Sequence, residues 1–445
     1  MNTVKVNFAK TMGKIKPMNA VNNGPAGSRV RQTGNFKDYE SLHIPYARLH
    51  DSAFYSGNYG GEYSVDVHRV FPNFDADETN PESYLFAPTD SYLQDIESVG
   101  TKVFYRLGAG IEHQHKKGTY PPKDFHKWAR ICEHIIRHYT EGWANGFHMD
   151  IEYWEIWNEP ECRNADGSNP CWQGTEEQFF DLFEITAKHL KKCFPSLKIG
   201  GPAFTSSWAP MSDRFLPEMK KRGVPMDFYS FHWYGKRPED FKATIEKGAE
   251  QLNKYGYQNA ELHLNEWNYI RGWFSADYSY SMRTIQNAKG AAFIASLMAI
   301  GQKSELDMLM YYDARPCAYN GIFGDFGKLR KGYYTFKAFG EIVALLEEAF
   351  SESEEDVYSV AAANKEQGAL MLARYVEEDE EVPDKEVCIQ VEGADFGEKT
   401  VAQFYLLDEN NDLTLQKEEI FSSETFNVYV KMPKHSVYFV KFIKA

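Results

Sequence analysis

Ile151-Glu-Tyr-Trp-Glu-Ile-Trp-Asn-Glu-Pro160 reads as an apolar strand stopped by a proline, with Asn158 and Glu159 at its C-terminal end. A carboxylic acid held at a strand tip, beside an amide able to bond a sugar hydroxyl, is suited to protonate a glycosidic oxygen. Ala260-Glu-Leu-His-Leu-Asn-Glu-Trp267 ends in the same way and puts Glu266 at a second strand tip. Two carboxyls on separate strand ends are the minimum equipment for hydrolysing a glycoside.

Working outward, short apolar runs alternate with helical patterns from about residue 12 to 350. Candidate strands are 13–21, 45–50, 102–107, 151–157, 197–202, 226–232, 261–265 and 308–312. Amphipathic stretches at 123–139, 176–193, 238–255 and 282–300 lie between them. In the first of these Phe125, Trp128, Ile131, Cys132, Ile135, Ile136 and Tyr139 recur at helical spacing, and Pro121 and Pro122 open it. Eight strands joined by right-handed helical crossovers predict an α/β fold, a (β/α)8 TIM barrel over 11–350. Active sites of such barrels gather at the C-terminal strand ends, where strands four and seven place Glu159 and Glu266.

Beyond residue 350 the texture changes. Strand-like segments at 357–362, 370–376, 386–391, 400–407, 424–430 and 436–442 are separated by acidic loops such as 377–381. They predict a C-terminal antiparallel β-sandwich over 351–445, which the strand-like residues 1–10 could join. The charge run 351–356 reads as a solvated turn.

The 445 residues carry a net charge of −15 with no Lys/Arg-rich block, so neither nucleic acid nor an anionic membrane is an expected partner. No apolar run is long enough to span a bilayer. The N-terminus lacks the apolar core of a signal peptide, which predicts a cytoplasmic protein unless an export signal was trimmed. Aromatic residues reach 15%, enough for a large core, a ring-lined sugar cleft, or both. The six cysteines show no metal-ligand spacing. Cys162 and Cys171 flank a Gly/Asn/Pro-rich loop and read as free thiols, or as a loop-clamping disulfide in an exported protein. No cofactor and no metal are called for.

In this constellation Glu159 is the candidate general acid/base and Glu266 the candidate nucleophile. Asn158 is the candidate partner of the substrate 2-hydroxyl. Arg48, His232 and Tyr234 sit on neighbouring strand ends, where they could donate to an ionised Glu266. His232 and Tyr234 are two apart and share a strand face. His50 reads equally as a core histidine or a barrel-mouth residue, and Trp157 and Trp267 as stacking platforms or core filler. His113 and His115 read as surface-loop residues.

The chain resembles glycoside hydrolase family 39, in the clan of retaining barrel glycosidases. The matching stretches are Tyr120-Pro-Pro-Lys-Asp-Phe-His-Lys-Trp128, Trp154-Glu-Ile-Trp-Asn-Glu-Pro160, Lys198-Ile-Gly-Gly-Pro-Ala203, Val224-Pro-Met-Asp-Phe-Tyr-Ser-Phe-His-Trp-Tyr234, Leu262-His-Leu-Asn-Glu-Trp-Asn268 and Tyr333-Tyr-Thr-Phe-Lys337. The resemblance implies a glycosidase with a β-sandwich accessory domain, with Glu159 as acid/base and Glu266 as nucleophile. It also implies positions beside the bound sugar and the two acids for Arg48, His50, His232 and Tyr234, an oligosaccharide or glycoside as substrate, and relatives that often form homo-oligomers. β-Xylosidase and α-L-iduronidase are both activities of the family. The default expectation is a retaining, exo-acting β-xylosidase-like enzyme. The alternatives are another exo-glycosidase (arabinoside, galactoside or uronide) and a non-catalytic carbohydrate-binding relative. Three stretches depart from the family pattern: Met310-Tyr-Tyr-Asp-Ala-Arg-Pro316, where Tyr312 stands for a tryptophan under the sugar, Leu107-Gly-Ala-Gly-Ile-Glu-His113, and the long loop 51–80. A uronide reader would need a cation at the sugar, for which Arg315 is the candidate.

Overall fold

The computed structural model describes residues 2–28, 33–50, 64–112, 115–317 and 320–445. His113 and residues 51–63 of the long 51–80 loop lie outside the described residues.

Eight parallel strands close into a barrel: Ala20–Asn22, Tyr46–Arg48, Lys102–Leu107, Tyr153–Ile156, Lys198–Phe204, Phe228–Gly235, Glu261–Tyr269 and Met308–Tyr311. The fourth strand, Tyr-Trp-Glu-Ile, is buried on both faces, as a strand must be when helices cover one side and a filled interior the other. The floor of the interior is apolar, with Ala20, Phe104, Tyr153, Phe228, Met308 and Met310 packed together. Above them sits a charged layer, with Arg48 Nε bonded to Glu155 Oε2 at 2.7 Å. The interior is therefore filled at its floor, and the charged layer lies toward the C-terminal strand ends.

Helix boundaries follow their caps. The helix expected at 123–139 runs Phe125–Glu141, because the Asp124 carboxylate accepts from the Lys127 N–H and Gly142 closes it at a left-handed φ of 76°. The stretch expected as one helix at 282–300 is two, Ser275–Thr284 and Ala288–Gln302, because Asn287 caps the second through the Lys289 and Gly290 N–H groups.

The expected strand 13–21 is not one strand. Gly13 and Lys14 finish an N-terminal strand, Asn2–Lys14, and the first barrel strand begins only at Ala20. Asn2–Lys14 pairs antiparallel with Glu347–Ser353 and parallel with Lys385–Glu392. These belong to a nine-stranded, mostly antiparallel sheet at the C-terminal end of the chain. Part of the charge run read as a solvated turn, Ser351–Ser353, is thus strand. A further strand, Asp412–Phe421, lies at one sheet edge and went unpredicted because only alternate residues are even partly covered. The sheet curls on itself: Phe8 and Phe442, from non-adjacent strands, meet with ring centroids 4.9 Å apart. Among the described residues no helix is long and apolar enough to cross a membrane.

Candidate active site

Glu159 follows the fourth strand, where the chain turns sharply. Trp157 and Glu159 both adopt left-handed φ, 79° and 47°, an uncommon conformation for residues with a Cβ and one that clusters at functional sites. The turn is held by bonds from the Trp157 N–H to Leu107 O and from the Glu159 N–H to Ala203 O, each 2.9 Å.

Glu266 lies within the seventh strand, which continues to Tyr269, beyond the expected end at 265. The register against the sixth strand shifts between Leu264 and Glu266. This bulge lets consecutive side chains both meet inward-facing partners, which strict alternation forbids. Asn265 Nδ2 bonds Glu155 Oε1, while Glu266 meets Tyr234 and Arg48.

His232 Nδ1 stands 2.7 Å from Glu159 Oε1 and 3.5 Å from Glu266 Oε2. The two carboxylates and this imidazole place their nearest atoms within 4.8 Å of one another. Glu159 is 8% exposed and Glu266 6%, so both are largely dehydrated yet reachable from the mouth. Burial raises the Glu159 carboxyl above its ordinary range, with His50 and Arg48 pulling partly back. Glu266 has donors instead: the Tyr234 hydroxyl at 2.6 Å from Oε1 and Arg48 Nη1 at 3.3 Å from Oε2, with His50 Nε2 at 3.8 Å. Burial and the Glu266 charge push the Tyr234 phenol well up, so it stays a donor. Burial lowers His232 to about 4, leaving a neutral ring. Arg48 is fully buried; burial works against its charge, but Glu155, Glu266 and Glu159 hold it above its ordinary value. It also bonds Asn22 Oδ1 at 2.9 Å and Asn158 Oδ1 at 2.7 Å. Asn158 Nδ2 is left buried with no partner among the described residues.

The structure thus gathers Glu159, Glu266, Arg48, Asn158, His232, Tyr234 and His50 around one mouth. Tyr312 joins them edge-on to His50, with ring centroids 5.3 Å apart. Trp157 and Trp267 are placed elsewhere. Trp267, buried completely, packs with Phe241, Phe293 and Tyr311, and Trp157, 1% exposed, packs with Trp128, Trp172 and Phe179. The Trp157 ring also borders a separate apolar cleft of about 270 Å³ with Val67, Phe71 and Pro121. Both indoles are core filler, because the bulge turns Trp267 and the left-handed turn swings Trp157 away from the mouth. Arg315 is tied to the fully buried Asp313, Nε to Oδ2 at 3.0 Å. His115 is exposed, as a loop residue should be.

Sequence reading missed Glu155. It anchors the charged layer by accepting from Arg48, Ser230 and Asn265. A charged residue inside the run Tyr-Trp-Glu-Ile was the available signal, since a buried charge requires partners. Trp273 was also missed: its ring, 53% exposed, stands 5.0 Å from that of Tyr234. Cys162 and Cys171 are free thiols, and their sulfurs lie within 4.8 Å of a Glu159 oxygen.

A closed parallel barrel with two buried acids at its C-terminal end, one raised by burial and the other held by donors, defines a class of barrel proteins built around two carboxyls. Within that class, the chain matches glycosyl hydrolases family 39 over residues 65–411 and belongs to that family. It is 27% identical over 297 residues to a beta-xylosidase of Caldicellulosiruptor saccharolyticus, covering 60% of this chain and 55% of the relative. It is 22% identical over 223 residues to human alpha-L-iduronidase, covering 46% and 33%. The chain therefore spans about half or less of the length of these curated relatives. A glucosidase structure from Croceicoccus marinus superposes with a TM-score of 0.82 at 20% identity, covering 100% of this chain and 99% of that one.

Proposed function

We propose that the protein is a retaining, exo-acting glycoside hydrolase, with a terminal β-xyloside as the default substrate. The observation that carries this reading is the approach of Glu159 and Glu266, with oxygens less than 4.8 Å apart. Carboxyls about 5–5.5 Å apart serve double displacement, whereas inverting enzymes leave roughly 6.5–9.5 Å for a water. The xyloside preference is supported by the beta-xylosidase relatives from two bacteria, both 27% identical over the aligned stretches.

In the first step the Glu159 carboxyl proton passes to the glycosidic oxygen as the C–O bond breaks. Glu266 attacks the anomeric carbon from the opposite face and forms a glycosyl ester. In the second, ionised Glu159 takes a proton from water, and the hydroxide displaces Glu266 with net retention. Burial supports the acid role of Glu159, and Tyr234 and Arg48 support an ionised Glu266. The unpartnered Asn158 amide is the donor for the 2-hydroxyl.

A panel of aryl glycosides tests the reading. Hydrolysis of the β-xyloside above the arabinoside, galactoside, glucoside and uronide is expected. Tight sugar binding without turnover of any member would instead make the protein a carbohydrate-binding relative.

A further inference from the structure

We propose that Glu159, Cys162 and Cys171 form a binding site for a thiophilic divalent cation such as Zn²⁺ or Cd²⁺, and that occupancy silences the enzyme. The carboxylate oxygen and the two sulfurs lie mutually within 4.8 Å. In a tetrahedral site with Zn–S bonds of ~2.3 Å, neighbouring sulfurs stand ~3.8 Å apart, so the cluster closes on an ion by a shift of about 1 Å or less.

The backbone is already fixed around this geometry. The Cys162 N–H bonds Glu159 O at 3.0 Å. Asn169 ties the two ends of the loop, donating to Pro160 O at 2.7 Å and accepting from the Cys171 N–H at 2.7 Å. Cys171 O accepts from Trp157 Nε1 at 3.0 Å. Cys171 is wholly buried and Cys162 half-buried, so an ion enters past Cys162 and its fourth position faces solvent.

The donor set selects the ion. Two thiolates favour soft or borderline cations over Mg²⁺ and Ca²⁺, which take oxygen ligands. On binding, each thiol and the Glu159 carboxyl release their protons to solvent, and the sulfur and oxygen lone pairs form the metal bonds. A carboxylate held by the ion cannot carry a proton to a leaving group. That silencing rests on the acid/base reading of Glu159; the binding itself does not. A second cluster, Glu133, His189 and Cys193, is less suited, because the Arg137 guanidinium already sits 2.9 Å from the Glu133 carboxylate.

The test titrates the full chain with Cd²⁺ under a phosphine reductant and follows the ultraviolet thiolate-to-Cd²⁺ charge-transfer band. A saturable band is expected in the wild type and in Cys193→Ser, and its loss in Cys162→Ser and in Cys171→Ser. Glu159→Gln should keep the band but weaken affinity by at least the ~10-fold typical of lost supporting contacts. Zn²⁺ should inhibit the wild type at concentrations at least ~10-fold below those needed for Cys162→Ser. No band in the wild type, or an undiminished band in Cys162→Ser, overturns the site. The band needs no turnover, so a missing metal site and a missing glycosidase activity are read separately.

Discussion

The Tyr234 hydroxyl donates to Glu266 Oε1 across 2.6 Å, from a side chain that the neighbouring sixth strand presents to the seventh. The bond keeps Glu266 ionised and aims its other oxygen, which is the form and orientation a nucleophile needs. Removing a hydrogen bond to a charged group costs about 1.5–3 kcal/mol. Tyr234→Phe should therefore lower kcat/KM by roughly 10- to 150-fold while the circular-dichroism spectrum stays unchanged. Unaltered kinetics would remove Tyr234 from the mechanism.

Glu159→Ala should separate substrates by leaving group. Phenols of low pKa depart without a proton, so their glycosylation step should change little. Alkyl and sugar leaving groups should lose ~10²–10⁴-fold, the usual worth of general acid catalysis. Equal losses for both classes would take the acid role from Glu159.

Because burial holds Glu159 protonated above the ordinary carboxyl range, the alkaline limb of kcat/KM should follow its ionisation. Activity is full below that pKa and falls as pH rises through it. The interaction with His50 pulls this pKa down, so His50→Asn should move the limb to higher pH. The same sign holds for stability: a carboxyl raised on folding favours the native state below its unfolded pKa, and that contribution is lost as pH rises through the folded value. A limb that stays in place in His50→Asn would contradict the assignment.

Arg48→Met should destabilise more than it perturbs binding. Arg48 and Glu155 are both fully buried, and removing one partner of a buried pair costs about 3–5 kcal/mol, because the other charge is left unpaired. Urea denaturation should show that loss, and Arg48→Met/Glu155→Met should recover part of it.

Trp267→Ala should cost roughly 3–5 kcal/mol of stability, as for large buried aromatics, with little change in KM for the surviving folded fraction. A large rise in KM at unchanged stability would return Trp267 to the substrate site.

The barrel and the positions of the two acids were legible because strands four and seven are apolar runs whose polar ends stand out. Pro160 marks the first end, and Asn265-Glu266 the second. Structure that depends on distant pairing was not legible. The bulge before Glu266 exists only against the sixth and eighth strands, so the orientation of Trp267 could not be read from its own segment. The N-terminal strand takes its place from Lys385–Glu392, far along the chain. Trp157 turns on a backbone angle that its local sequence does not dictate. Glu155 was legible in principle, since its burial within an apolar strand obliges the Arg48 partnership.

In the proposed reaction Glu266 becomes covalently bound to the sugar while Glu159 faces it across the same anomeric carbon. The most direct measurement is to incubate the protein with an activated 2-deoxy-2-fluoro-xyloside, digest it, and sequence the labelled peptide by mass spectrometry. One glycosyl adduct per chain is expected, on Glu266. Turnover with no adduct, or an adduct on another carboxylate, would contradict it.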